Sequence, residues 1–172
     1  MTRRILHPSD FTSFSRAALK KAIEMAKSNR AELLLINVIS PVVPIPGDAY
    51  ISAKMYDDLA GSARSFAQKQ LEKLLAQAKK ARVKARGFVL EGSPAEEIVR
   101  FARARRVDLI VMGTHGRAGL AKLFVGSVAD RVVAAASCPV LTVRGKYARR
   151  ARRGRTRRQR SPRNQRGLGG GP

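Results

Sequence analysis

The sequence is poor in aromatic residues, cysteine and long apolar runs. Tryptophan is absent and 5% of the 172 residues are aromatic, so a core built from Leu, Val, Ile and Ala is expected. The one cysteine, Cys138, excludes a disulfide within the sequence and suits a reducing compartment. No run approaches the ~20 apolar residues of a membrane-spanning helix, and residues 1–11 have no apolar core typical of signal peptides. We therefore expect a cytoplasmic protein without a transmembrane segment.

Acidic residues are also scarce, and the resulting positive charge is unevenly distributed. The sequence has 35 basic and 12 acidic residues, for a formal net charge of +23. Residues 144–172 contain 12 basic residues and no acid, so residues 1–143 carry the remaining +11. The predicted organisation is one domain over residues 1–144, followed by an Arg-rich tail over residues 145–172 that has too few apolar residues to fold when free.

Apolar runs alternate with segments of helical periodicity along the domain. Strands are predicted near residues 3–7, 32–39, 83–90, 107–112 and 140–143, and helices near residues 13–29, 54–82, 94–106 and from 127 onwards. Thr12 or Ser13 is predicted to cap the first helix, and Ser93 the third, with Glu96 completing a capping box. This alternation predicts an α/β fold, a single Rossmann-like domain with a five-stranded parallel sheet and helices on both faces.

The common strand order for such a sheet is 3-2-1-4-5, which places the first and fourth strands side by side. The residues do not determine this order by themselves. Ligands of these folds bind outside the carboxyl ends of the strands, where the winding direction reverses. In this chain those ends are Asp10 and Gly113–Gly116. Two separate features are therefore expected at one crevice.

The glycine pattern after the fourth predicted strand is the strongest functional signal. Gly113 and Gly116 are followed, after nine residues, by Gly126 and Ser127 at the start of a helical segment. Glycines let backbone N–H groups approach an anion, and a helix amino terminus adds donors and a positive dipole end, so this pattern fits a phosphate site. The alternative is that the glycines only turn the chain and Ser127 is an ordinary cap. The Gly-Lys-Ser/Thr of a Walker loop is absent.

Other polar residues near the predicted crevice have a structural and a functional interpretation. Asp10 can cap a helix or contact a ligand, and His115 can be solvated or approach a phosphate. Arg117 and Lys122 can neutralise phosphate charge or face water. Cys138 is predicted to be a small core residue. No Ser-His-Asp arrangement, metal-ligand spacing or carboxylate pair identifies catalytic residues, so no efficient enzyme is predicted.

The same residues resemble the universal stress protein family. The resemblance covers nearly the whole domain: ILHPSDFTSFSRAAL is similar to the family's opening strand and first helix, DLIVMGTHGRAGL to its most typical stretch, and Gly-Ser followed by Cys-Pro-Val to its closing segment. It implies a homodimeric α/β domain, and the glycine pattern is that of the ATP-binding branch. The expected function is a nucleotide-dependent stress-response regulator, with slow ATP hydrolysis compatible with the fold.

The resemblance also implies a role for each candidate site residue. Asp10 would lie near the adenine and ribose, and Val38 would meet the adenine through its backbone. Met112 and Gly113 would lie at the ribose and α-phosphate, with His115 near the phosphates. The phosphates of ATP, with or without Mg²⁺, would be held by Gly116, Gly126, Ser127 and Val128. Ala129 departs from the family pattern, since some members have a hydroxyl residue there, and one phosphate contact is thereby lost.

Two kinds of partner are expected. The resemblance implies a homodimer formed through the edge strand Val140–Val143, since exposed strand edges pair readily with another chain. The tail is expected to attract nucleic acid or an anionic surface without sequence preference. The alternatives to an ATP-dependent regulator are therefore a dimeric scaffold with a vestigial nucleotide site and a nucleic-acid-associated protein that acts through its tail.

Overall fold

The computed structural model describes residues 2–41, 53–114 and 127–144. Strands and helices alternate within these ranges. The strands are β1 (Arg4–Pro8), β2 (Glu32–Ile39), β3 (Ala85–Glu91), β4 (Leu109–Gly113) and β5 (Val140–Val143); the helices are α1 (Ser13–Asn29), α2 (Ala53–Lys80), α3 (Pro94–Ala104) and α4 (Ser127–Ala135). Among the described residues, no helix combines the length and apolar character needed to cross a membrane.

The five strands form one parallel sheet in the order β3-β2-β1-β4-β5. This confirms the predicted order, including the position of β3 and β5 at the two edges. In the centre, β1 pairs with β2 from Arg4↔Glu32 to Pro8↔Ile36 and with β4 at Ile5↔Leu109 and Leu6↔Ile110. The carboxyl ends of β1 and β4 are therefore neighbours, as a crevice at the reversal of winding requires.

The core consists of two layers, one on each face of the sheet. Helices α1 and α2 cover one face, where Leu19 and Leu71 pack with Leu33 and Leu35 of β2. Helices α3 and α4 cover the other face, where their residues pack with Leu34 and its neighbours. Successive residues of a strand point to opposite faces, so a strand covered on both sides must be apolar throughout. The uninterrupted run Leu33–Ile36 is buried for this reason.

The starts of α1 and α3 differ in how closely they follow the prediction. Thr12 caps α1, and its side chain accepts a hydrogen bond from Ser15 N. Ser93 occupies the N-cap position of α3, with Pro94 next, but its side chain makes no capping hydrogen bond. The predicted capping box is therefore wrong. Glu96 instead pairs with Arg131 of α4 at 2.8 Å, so an ion pair between the two helices takes the carboxylate away from the helix end.

Three helices end in the same way, with an arginine in the left-handed region. Arg30, Arg82 and Arg106 have φ values of 53°, 59° and 48° and follow the ends of α1, α2 and α3. In each case the next residue donates its N–H to a carbonyl five residues earlier, as Val83 N does to Ala78 O at 3.0 Å. That next residue is also buried, so each arginine turns the chain into the core.

Asp108 joins the amino ends of the two central strands. Its Oδ2 atom accepts hydrogen bonds from Arg3 N at 2.7 Å and Arg4 N at 2.8 Å. The hydrogen bond from Arg4 N is the main reason that the pKa of Asp108 lies below its usual value. The side chain is exposed, so water competes for the same carboxylate.

We expect Asp108→Ala to lower the free energy of unfolding by about 1 kcal/mol, because two hydrogen bonds to an exposed carboxylate are lost. Urea unfolding at pH 7 measures the change. Asp58→Ala removes the same charge from an exposed position on α2 and serves as the control. Equal stability of Asp108→Ala and wild type would show that these two hydrogen bonds do not hold the strands together.

Candidate functional site

The predicted site residues that the structure describes lie together at the carboxyl edge of the sheet, where the strands end. Asp10 follows β1, Val38 lies on β2, and Met112 and Gly113 end β4. Because β1 lies between β2 and β4, Asp10 stands between the other two. Ser127 and Val128 begin α4. His115, Gly116 and Gly126 lie outside the described residues, as do Arg117 and Lys122.

The Asp10 side chain is held by the turn that leads into α1. Its Oδ1 atom accepts hydrogen bonds from Thr12 N at 3.0 Å and Thr12 Oγ1 at 2.7 Å. Asp10 therefore supports the helix start, as the structural interpretation expected, although the cap itself is Thr12. Its Oδ2 atom has no hydrogen-bond partner among the described residues and can accept one from a ligand.

An apolar surface runs beside Asp10 on the α3/α4 face of the sheet. Met112 belongs to the buried core on that face, and Val38 and Val128 pack against it while remaining partly exposed. Met112 is 5% exposed, so its side chain serves the core on this face. Ala129 is also buried in this layer, which shows that its side chain contributes to packing.

Gly113 packs closely against the backbone of α1, in addition to any contact with phosphate. A Cβ atom at this position would lie 3.3 Å from the backbone C and O atoms of Phe14 in α1. Such a contact is tighter than nine in ten real Cβ contacts, so a side chain here would require the first turn of α1 to shift by a few tenths of an ångström. This contact accounts for Gly113 without a ligand, and the glycine alone is not evidence of a phosphate site.

Beneath Asp10 lies a buried hydrogen-bond chain formed by His7, Ser9 and Ser15. His7 is 0% exposed, and its Nδ1 atom lies 2.8 Å from Val111 O. A carbonyl can only accept, so Nδ1 carries the proton and Nε2 is the acceptor. Nε2 lies 3.4 Å from Ser15 Oγ, and Ser15 Oγ lies 2.8 Å from Ser9 Oγ. Ser15 therefore donates to His7, and Ser9 donates to Ser15.

The chain ends at the backbone of the Asp10 turn. Phe11 N donates to Ser9 Oγ at 3.2 Å. Phe11 has a φ of 64°, a conformation that costs a non-glycine residue about 1–3 kcal/mol and needs support from its surroundings. A further bond, Asn37 Nδ2 to Ser9 O at 2.8 Å, ties the same loop to β2. The buried hydrogen-bond chain thus joins β1, β4 and α1 at the point where Asp10 is presented.

His7, Ser9 and Ser15 were not among the residues predicted from the sequence to form the site. Two signals were present: a histidine directly follows Ile5 and Leu6 in a buried strand, and Ser15 lies on the same helical face as Ala18, Leu19 and Ala22. Cys138, by contrast, has the expected role, since it packs against the α3/α4 core. Burial raises the pKa of its thiol. Among the described residues, no group of three His, Cys, Asp or Glu side chains can hold a metal ion.

Burial lowers the pKa of His7 from 6.5 to about 4, although the Val111 carbonyl and the charge of Asp10 act in the opposite direction. An unfolded chain therefore binds a proton at this site between pH 6.5 and 4 that the folded protein excludes. Stability is fully present above the unfolded pKa and falls as the pH is lowered through this window. We expect a loss of about 2 kcal/mol in the free energy of unfolding between pH 7 and pH 5.

Urea unfolding at the two pH values measures this loss of stability. In His7→Gln, the loss between pH 7 and pH 5 should be about 2 kcal/mol smaller than in the wild type. An equal pH dependence in wild type and variant would contradict the assignment of His7 as a buried neutral histidine. If His7→Gln is too unstable to compare, a ¹⁵N NMR titration of His7 in the wild-type protein decides the question, because ordinary titration near pH 6.5 would refute the buried neutral state.

Comparison with known proteins identifies a single family. A model of the universal stress protein family matches residues 1–144. The chain is 40% identical over 144 residues to universal stress protein MJ0531 of Methanocaldococcus jannaschii, covering 83% of this chain and 82% of that protein. The solved structure of MJ0577, from the same organism, has a TM-score of 0.74 at 28% identity and covers 86% of this chain and 99% of that one.

A more distant family structure, from Arabidopsis thaliana and with AMP bound, has a TM-score of 0.61 at 20% identity, covers 84% of this chain and 92% of that one, and shares the fold. The five-stranded parallel α/β sheet agrees with these matches. With its first 144 residues matched by one family model, the chain belongs to the universal stress protein family.

Proposed function

We propose that this protein is an ATP-binding universal stress protein that acts as a nucleotide-dependent stress-response regulator. The observation that carries the proposal is the fixed Asp10 carboxylate, whose Oδ2 atom remains available between the ends of β2 and β4. A family member with AMP bound supports a nucleotide as the ligand. The absence of an identified catalytic base limits the proposed chemistry to, at most, slow ATP hydrolysis.

The described residues fit the two ends of a nucleotide. Val38 and Val128 offer an apolar surface for the base, and Asp10 Oδ2 offers an acceptor for a ribose hydroxyl or the adenine amine. Ser127 lies exposed at the amino terminus of α4, where free N–H groups and the helix dipole favour phosphate. The contributions of His115, Gly116 and Gly126, and of Mg²⁺ bound with ATP, stay predictions from the sequence.

The alternative is a dimeric scaffold in which this crevice is vestigial. The Gly113 contact with Phe14 keeps that alternative open, since packing alone explains this glycine. The two functions differ in one measurable property, which is affinity for ATP.

Wild-type protein should bind ATP in a calorimetric titration, and Asp10→Asn should weaken binding about tenfold or more. Asparagine keeps the Oδ1 acceptor for Thr12 but replaces Oδ2 by an NH₂ group, so an acceptor for the ligand becomes a donor while the turn is kept. Asp58→Asn, on exposed α2, is the matched control. Absence of ATP binding by the wild type favours the scaffold; unchanged affinity in Asp10→Asn removes Asp10 from the site.

We further propose that the protein is a homodimer through β5. This strand pairs with β4 on one side and lies at the edge of the sheet, and all four of its residues are partly exposed. An edge strand of this kind can pair with the same strand of a second copy.

A second candidate activity rests on the composition of the tail. Residues 145–172 contain no acid and are rich in arginine, which favours salt-sensitive, sequence-independent attraction to polyanions. We expect deletion of residues 146–172 to weaken binding of a labelled DNA duplex at low salt while leaving ATP affinity and the dimeric state unchanged. Fluorescence anisotropy, calorimetry and light scattering measure the three quantities. A deletion protein that becomes monomeric would show that the tail is part of the dimer.

A further inference from the structure

Nearly all of the excess charge of the folded domain lies at the amino edge of the sheet. Four charged segments lie there: the chain entering β1, the turns that follow α1 and α2 into β2 and β3, and the turn that follows α3 into β4. They comprise residues 2–4, 27–32, 79–86 and 103–108, and are called the amino-edge surface below. In a parallel sheet, all strand starts and the ends of the preceding helices lie at this one edge.

The amino-edge surface contains 12 Lys and Arg residues but only two acids, Glu32 and Asp108, for a net charge of +10. Residues 1–143 carry +11 in total, so everything else in that range carries +1. Among the described residues, only Lys84 and Arg86 of this surface form ion pairs, and both pair with Glu32. The topology therefore converts a charge spread along the sequence into a concentrated positive surface.

Stabilisation of the helix ends does not account for this much charge. Each helix carboxyl terminus has the equivalent of about half a negative charge, so the four helices together present about −2 at this edge. A net charge of +10 exceeds that several-fold, and the excess repels itself and destabilises the fold. Because this charge destabilises the folded domain, we infer that the surface binds an external anion that carries many charges.

We propose that the amino-edge surface binds the phosphate backbone of a nucleic acid. Five strands about 4.8 Å apart give the sheet edge a width of about 19 Å. Duplex DNA carries one charge per about 1.7 Å of its axis, so about 19 Å of duplex carries about 11 negative charges. The surface and the duplex therefore match in charge over the same length.

The side chains favour nucleic acid over a membrane. Eight of the 12 cations are arginines, whose planar guanidinium groups match phosphate oxygens in pairs. Membrane attachment also needs exposed apolar side chains beside the charge. The exposed large apolar residues that the structure describes are Met55, Leu59, Phe66 and Val133, none of which belongs to the amino-edge surface.

This surface is separate from both activities proposed above. Asp10 and the ends of β1 and β4 lie at the opposite, carboxyl edge. Val143, the last residue of β5, also lies at that carboxyl edge. Binding at the amino edge thus adds to any binding by the tail and does not require a nucleotide.

The test uses the full-length chain and a triple variant, R30N/R82N/R106N. Asparagine tolerates the left-handed backbone of these three positions, so charge is removed while the helix ends are kept. The control, K20Q/K69Q/K73Q, removes the same charge from exposed positions on α1 and α2 away from the amino edge. Binding of a fluorescent 20-base-pair duplex is measured by anisotropy over a range of salt concentrations.

The amino-edge variant should bind at least tenfold more weakly than the control at low salt. Its plot of log K against log salt concentration should be shallower by about 2–3, since about one counterion is released per phosphate contact. Equal affinities and slopes in the two variants would overturn the proposal. Anionic phosphatidylserine vesicles are tested in parallel, and a loss confined to vesicle binding would also overturn it by assigning the surface to membranes.

Discussion

The buried hydrogen-bond chain of His7, Ser9 and Ser15 is the interaction on which the crevice depends. It fixes three elements at once, because His7 contacts the backbone of β4, Ser15 belongs to α1, and Ser9 supports Phe11 in its left-handed conformation. The Asp10 carboxylate is aimed by the turn that contains Phe11. A buried chain of polar groups is tolerated only if every donor has an acceptor. This condition is met because each group from Phe11 N to His7 donates to the next, and the last acceptor is the carbonyl of Val111.

The parallel sheet then separates two kinds of polar surface. Its carboxyl edge presents single, oriented groups such as Asp10 Oδ2 and the amino terminus of α4, which suit recognition of one small ligand. Its amino edge presents many cations, and among the described residues only Lys84 and Arg86 of them form ion pairs, which suits a repeating polyanion. Both properties follow from the direction of the strands, since all strand starts lie at one edge and all strand ends at the other. The strands that run from one edge to the other keep the two surfaces about one strand length apart.

Much of the fold follows from the sequence because the periodic signals are strong. The uninterrupted apolar run of β2 has the predicted bounds, and the expected strand order is confirmed. Features that depend on contacts between distant residues were not predictable in the same way. Glu96 forms an ion pair with Arg131 because α4 packs beside α3. The packing role of Gly113 depends on how closely α1 approaches β4. The net charge of +10 on the amino-edge surface emerges only when four separate segments of the chain are brought to one edge.

Because each group of the buried hydrogen-bond chain donates to the next, a substitution of one group leaves its neighbour without a partner. If His7 alone becomes apolar, Ser15 loses its acceptor and Val111 O its donor; if Ser15 alone does, Ser9 loses its acceptor. A buried group left without a partner costs more than the hydrogen bond itself contributed, whereas exchanging all partners for apolar groups of similar shape can be nearly neutral. We therefore expect related chains to keep the polar residues at positions 7, 9 and 15 together or to replace them together.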